Sequence, residues 1–123
     1  MLSRAIESRA APLHGFDYPI ATFGVAHAID SGMSAESEAF KRRTFVFAVG
    51  VGRLLKTFSR MEPGPTAQRQ LAKSSSSTAA NYRAACRGRS HAEFTAKLGI
   101  SAEECDETMF WLEYAEAGEF PPR

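Results

Sequence analysis

Residues 71–87 read LAKSSSSTAANYRAACR, and the fold turns on whether the four serines form a linker or the inside of a helix. Composition alone favours a linker, because Ser-rich runs behave as flexible coil. Periodicity favours the helix. Leu71, Ser74, Thr78, Asn81 or Tyr82, and Ala85 share one stripe, while Arg69, Lys73, Ser76, Ala80, Arg83 and Arg87 share another about 200° away. A linker has no reason to sort its charges by face. Small Ser and Ala side chains let neighbouring backbones approach closely, so the stretch reads as a helix tightly packed along its middle.

Working outward toward the N-terminus, Phe40, Thr44, Phe47, Val51, Leu54, Phe58 and Met61 alternate steps of four and three, a heptad-like seam. Ser34 is placed to cap such a helix. Lys41, Arg42, Arg53, Lys56 and Arg60 avoid the seam, and Phe45, Ala48, Gly52 and Leu55 add a second apolar-to-small flank, so burial on more than one side is expected. Gly50 and Gly52 each cost about 1 kcal/mol of helix propensity relative to alanine, which tertiary contacts must offset. Pro63-Gly64-Pro65 is expected to end this helix.

Working outward toward the C-terminus, Gly88 and Arg89 break the second helix, and Ser90-His91-Ala92-Glu93 is a capping box. The third helix is expected to bury Phe94, Leu98, Ser101 or Ala102, Cys105, Met109 and Leu112, with Trp111 and Tyr114 on a flank. Gly118 and Pro121-Pro122 stop it. The pattern therefore predicts helices over 34–61, 65–88 and 90–117.

Residues 1–32 show neither period 2 nor period 3.6, and Pro12, Gly15, Pro19, Gly24 and Gly32 punctuate them, which predicts an irregular or disordered extension. Residues 33–123 then form the helical domain. At 123 residues, 44% hydrophobic and 24% charged, the chain has the size and composition of one globular domain. No apolar run approaches the length needed to span a bilayer. Val25-Ala26-His27-Ala28 loosely mimics a signal-peptidase site, but Glu7, Asp17 and two prolines interrupt the preceding segment, so a cytoplasmic protein is expected. Cys86 and Cys105 are too few for a disulfide scaffold and too far apart in sequence for a metal knuckle.

The net charge of +1 hides a polarity along the chain. Twelve Lys/Arg face only Glu62 and Glu93 between Lys41 and Lys97, whereas seven acids face Arg123 alone after Lys97. Facing basic and acidic elements would produce this pattern.

Several positions together resemble the signature of the bacterial four-helix bundle protein family first met as products of 23S rRNA intervening sequences. They are Gln70-Leu71, Ser74, Ser77, the run Ala80 to Arg87, Arg89-Ser90, Glu93-Phe94, Ala96 to Ile100, Glu103-Glu104, Asp106-Glu107-Thr108 and Trp111-Leu112-Glu113. Weaker similarity reaches back to Phe40. The resemblance implies an all-α, antiparallel up-down helical bundle that assembles into a ring, with a homopentamer the expected form. Its structural signature falls here on Gln70, Asn81, Tyr82, Ser90, Glu93, Phe94, Glu104, Glu107 and Trp111. A related branch, the accessory variability proteins of diversity-generating retroelements, implies reverse transcriptase, RNA or DNA as partners. The family has a fourth helix, for which residues 118–123 are too few, and residues 1–32 have no family counterpart. A misplaced start codon or a truncated reading frame is therefore expected. A bundle short of one helix would expose an apolar groove on the order of several hundred Å².

No catalytic constellation is visible, since His14, His27 and His91 share no spacing with the cysteines or carboxylates. Glu103, Glu104, Asp106 and Glu107 resemble a helical carboxylate site but lack the Glu-x-x-His partner. We therefore expect no enzyme activity, metal or cofactor. The basic residues Arg53, Lys56, Arg69, Lys73, Arg83, Arg87 and Arg89 are the candidate nucleic-acid-binding set, because clustered cations gain by releasing counterions from phosphates. The alternative is that Glu103 to Glu116 neutralise them within or between chains. Asn81, inside the apolar stripe, is expected to be a partly buried amide fixing helix register. Three functional readings follow: an oligomeric scaffold or binding module, a nucleic-acid-binding or reverse-transcriptase accessory protein, or a truncated, nonfunctional gene product.

Overall fold

The computed structural model describes residues 34–120, so the expectation for residues 1–32 lies outside the described range. The described residues are all-α. Helix α1 spans Ala35–Leu55, α2 spans Gly64–Ala85 and α3 spans His91–Ala117. Residues 41–120 belong to one compact unit.

Leu71 and Ala67 are fully buried on α2 and meet Ala115 of α3, Val51 and Leu55 of α1, and Phe58 just beyond it, with Trp111, Leu112 and Phe120 around them. Further along α2 the core is made of hydroxyls. Ser74, Ser75 and Thr78 are buried, as are Ser101 and Thr108 on α3. The Ser101 hydroxyl donates to the Thr78 carbonyl at 2.7 Å, and Thr108 Oγ1 lies 2.9 Å from Ser74 Oγ. These pairings run in opposite sequence order, so α2 and α3 lie antiparallel to each other. Ser75 and Thr78 satisfy their own hydroxyls on the carbonyls one turn back, of Leu71 and Ser74. The serine run is thus helix interior: its side chains are short enough to bring the two backbones together, and every buried hydroxyl of the seam is hydrogen-bonded, as burial requires.

Several expectations need correction. The first helix ends at Leu55, six residues before the predicted Met61. There the backbone tightens, with the amides of Lys56, Thr57 and Phe58 donating three residues back, and Thr57 Oγ1 donates to the Leu54 carbonyl at 2.7 Å. Gln68 of α2 reaches across to cap α1, its Nε2 donating to the Leu55 carbonyl at 2.6 Å. The Leu55 carbonyl, which also accepts the Phe58 N–H, thus has both lone pairs engaged at the helix end; Phe58 turns into the core and Met61 stays on the surface. Pro63-Gly64-Pro65 consequently begins α2, where the missing proline N–H costs nothing. A Cβ at Gly64 would run into the Ser59 carbonyl.

Helix α1 is buried along one side only. Thr44, Val51 and Leu55 face inward, while Phe40, Phe45 and Val46 are exposed. The seam of α3 is rotated from the apolar stripe that the sequence presents. Ser101, Thr108 and Ala115 are its buried residues, whereas Leu98, Met109 and Cys105 are exposed. Hydroxyl and alanine side chains, not large apolar ones, fit the close approach to α2.

The helix ends explain the remaining geometry. Ser34 Oγ accepts the Ser37 N–H at 3.1 Å, and Ser90 Oγ accepts the Glu93 N–H at 3.1 Å. The return bond of the expected capping box is shifted by one residue, because Glu93 Oε2 accepts the Arg89 N–H at 2.8 Å. At the C-terminus of α3 the Phe120 N–H donates to the Ala115 carbonyl and the Glu119 N–H to that of Glu116. Glu119 itself has φ 55°. This is a Schellman ending with a non-glycine residue in the left-handed position. Gly118, expected to be the stop, is right-handed; a Cβ there would require the Phe120 ring to shift. The Phe120 carbonyl accepts the Ser59 N–H at 3.0 Å, tying the end of α3 to the turn after α1.

Candidate functional site

The candidate basic residues fall into three groups. Arg69, Lys73 and Arg83 share the exposed face of α2, opposite Leu71, Ser74 and Thr78. At 1.5 Å rise per residue this stripe runs about 21 Å, and α2 contains no acidic residue. Arg69 is partly occupied: it donates to Thr66 Oγ1 at 2.9 Å and lies 3.9 Å from the Glu62 carboxylate. The second group, Arg87 and Arg89, lies in the turn after α2, so Arg87 does not extend the helical stripe as its spacing suggests. Both are exposed, and Arg89 sits 3.5 Å from Glu93. The third group is Arg53, half-buried on α1, and the exposed Lys56 just after it. Neutralisation of the α2 stripe by α3 acids within the chain is not what the described residues show. Arg69 pairs with Glu62 and Arg89 with Glu93, and neither pair joins α2 to α3.

The signature residues have structural positions. Tyr82 is buried; Gln70, Phe94, Glu107 and Trp111 are half-buried; Ser90 and Glu93 form the α3 cap. Glu104 is half-buried with one carboxylate oxygen shielded from solvent and lacking a hydrogen-bond partner. Asn81 does not fix the register between helices. Its Nδ2 donates to the Ser77 carbonyl of its own helix at 2.9 Å, and register is set by the Ser74–Thr108 and Thr78–Ser101 bonds.

Exposed apolar side chains make a second feature. On α3, Met109 is 49% exposed, Phe110 56% and Tyr114 42%; separately, on α1 Phe45 is 45% exposed. The α3 rings are mutually ordered. Phe110 stacks on Tyr114 with centroids 6.1 Å apart, and Trp111 stands edge-on to both at 5.2 and 5.3 Å. Tyr114 in turn meets Phe120 edge-to-face at 5.3 Å, the apolar contact that accompanies a Schellman ending. Asp106 and Glu113 are exposed beside this surface. The sequence does signal it, since Leu98, Cys105 and Met109 form a seam at helical spacing; that seam faces outward rather than into the core.

Among the described residues no group of three or more His, Cys, Asp or Glu side chains is arranged to hold a metal ion, and no helix is long and apolar enough to cross a membrane. No family model matches the sequence, and no curated protein or solved structure is detectably similar to the chain.

Proposed function

We propose that this chain is a non-enzymatic, cytoplasmic helical-bundle module that works by self-association, built on the antiparallel up-down plan that its resemblance to the intervening-sequence four-helix bundle proteins implies. The observation that carries the reading is the outer face of α3. Met109, Phe110 and Tyr114 stay exposed while the close contact to α2 is made by Ser101 and Thr108. Ordered exposed aromatics next to one another mark contact surfaces, and a second copy of the same chain is the occupant this reading assigns. The resemblance puts the assembly at a homopentamer. Light scattering behind a sizing column tests it: a species of several chains at micromolar concentration is expected, and a well-behaved monomer of 13.4 kDa would remove the reading.

A second reading has its own observation. The outer stripe of α2 carries Arg69, Lys73 and Arg83 with no acid on the helix, which favours a polyanion such as RNA or DNA, as expected of a nucleic-acid-binding or reverse-transcriptase accessory subunit. Repetition of the stripe around an assembly would multiply it. Gel-shift titration at two salt concentrations tests this reading; no retention at low salt leaves a protein-binding module.

A further inference from the structure

We infer that α1 is hinged at its glycine pair, so that residues 41–49 swing as an arm on a body made of the last turn of α1 together with α2 and α3. The inference does not depend on the self-association reading. Val51, between the two glycines, is held in the core, whereas Gly50 and Gly52 are both exposed. A Cβ at either glycine would meet nothing within 4 Å. Alanine therefore fits both positions, and no packing in the described residues calls for glycine. Glycine disfavours a helix interior relative to alanine and widens the range of backbone angles open to the chain. The tertiary contacts expected to offset that cost do not reach the glycines themselves. What two glycines within one turn supply is a place where a helix bends.

The two sides of the pair are held differently. On the C-terminal side Val51 and Leu55 are buried with Phe58, and the Leu55 carbonyl accepts both the Gln68 side chain at 2.6 Å and the Phe58 N–H. On the N-terminal side, from Lys41 to Val49, only Thr44 is buried, and Phe45 and Val46 are exposed. The Thr44 hydroxyl turns back on its own helix, donating to the Lys41 carbonyl at 2.9 Å, and Phe47 meets the core half-buried. The firmly held and the lightly held parts of α1 thus join at the glycines, where the backbone resists bending least.

Two measurements on the full chain test the hinge. Spin labels at Arg43→Cys and Arg83→Cys, with Cys86→Ser and Cys105→Ser and with excess unlabelled chain, report the distance from arm to body. The distribution should be broad, and adding Gly50→Ala/Gly52→Ala should narrow it. A narrow distribution with the glycines in place, or a width that the alanines leave unchanged, overturns the hinge. Amide exchange on the unlabelled wild type separates bending from fraying. The amides of Gly50 to Leu54 donate across the glycines to carbonyls four residues back, so bending breaks their bonds and spares those of the arm. They should exchange about tenfold faster than the amides of Thr44 to Val49. Protection that rises steadily from Thr44 through Leu54 would mean that α1 frays from its start, and would overturn the inference.

Discussion

Ser74 Oγ and Thr108 Oγ1 lie 2.9 Å apart across the α2–α3 contact, and both residues are fully buried. Thr108 Oγ1 is also 2.9 Å from the Glu104 carbonyl. A carbonyl only accepts, so the single Thr108 proton goes to Glu104 and the Ser74 hydroxyl donates to Thr108. Thr108→Val therefore strands the Ser74 hydroxyl in a site that excludes water, costing about 1–2 kcal/mol. Ser74→Ala leaves Thr108 bonded to its own helix and should cost less. In urea melts the double variant should be less destabilised than the sum of the singles, by about 0.5–1 kcal/mol; strict additivity would mean that the bond contributes nothing to the pairing.

Gln68 holds the end of α1 through its bond to the Leu55 carbonyl. Gln68→Ala should destabilise the chain by about 1 kcal/mol and speed amide exchange in the last turn of α1. Alanine is the better helix former in α2, so an unchanged or higher Tm would show that the cap does not matter.

Glu119 occupies a left-handed conformation, φ 55°, that costs a residue with a Cβ about 1 kcal/mol. Glu119→Gly should raise stability by about 0.5–1 kcal/mol. Differential scanning calorimetry reads this as a higher Tm; a fall would show that the Glu119 side chain contributes more than its backbone strain removes.

The three helices and the interior position of the serine run are legible in the sequence because helical periodicity survives even when the residues are polar. Ser74 and Thr78 mark the buried stripe of α2 as Leu71 does. Two things are not legible. The end of α1 is set by Gln68, 13 residues from Leu55, a pairing that local signals such as Pro63 do not report. The facing of α3 escapes a hydrophobicity pattern because hydrophobicity and burial part company there. Thr108 and Ser101 can be buried only because α2 offers hydrogen-bond partners, which frees Leu98 and Met109 for the surface. The basic set is legible by spacing, yet the turn at Cys86 separates Arg87 from Arg83, and Arg53 is half-buried.

Lys73 and Arg83 separate the two functional readings. If the α2 stripe binds single-stranded RNA, Lys73→Gln/Arg83→Gln should weaken retention equally across sequences. It should also flatten the log–log salt dependence by about 0.7 for each phosphate that is no longer neutralised. If these residues instead pair with acids of a neighbouring chain, the same variant should lower the Tm and change the assembly mass without touching RNA retention.

Self-association through the outer face of α3 is the central claim, and sedimentation equilibrium of the full chain beside Met109→Glu tests it most directly. Met109 is 49% exposed, so the substitution leaves the single-chain fold intact while placing a charge in the apolar centre of the contact. The account predicts a wild-type mass several times the 13.4 kDa of one chain and a Met109→Glu mass equal to one chain. A wild type that sediments as a single chain at micromolar concentration, or a Met109→Glu variant that keeps the wild-type mass, would contradict it.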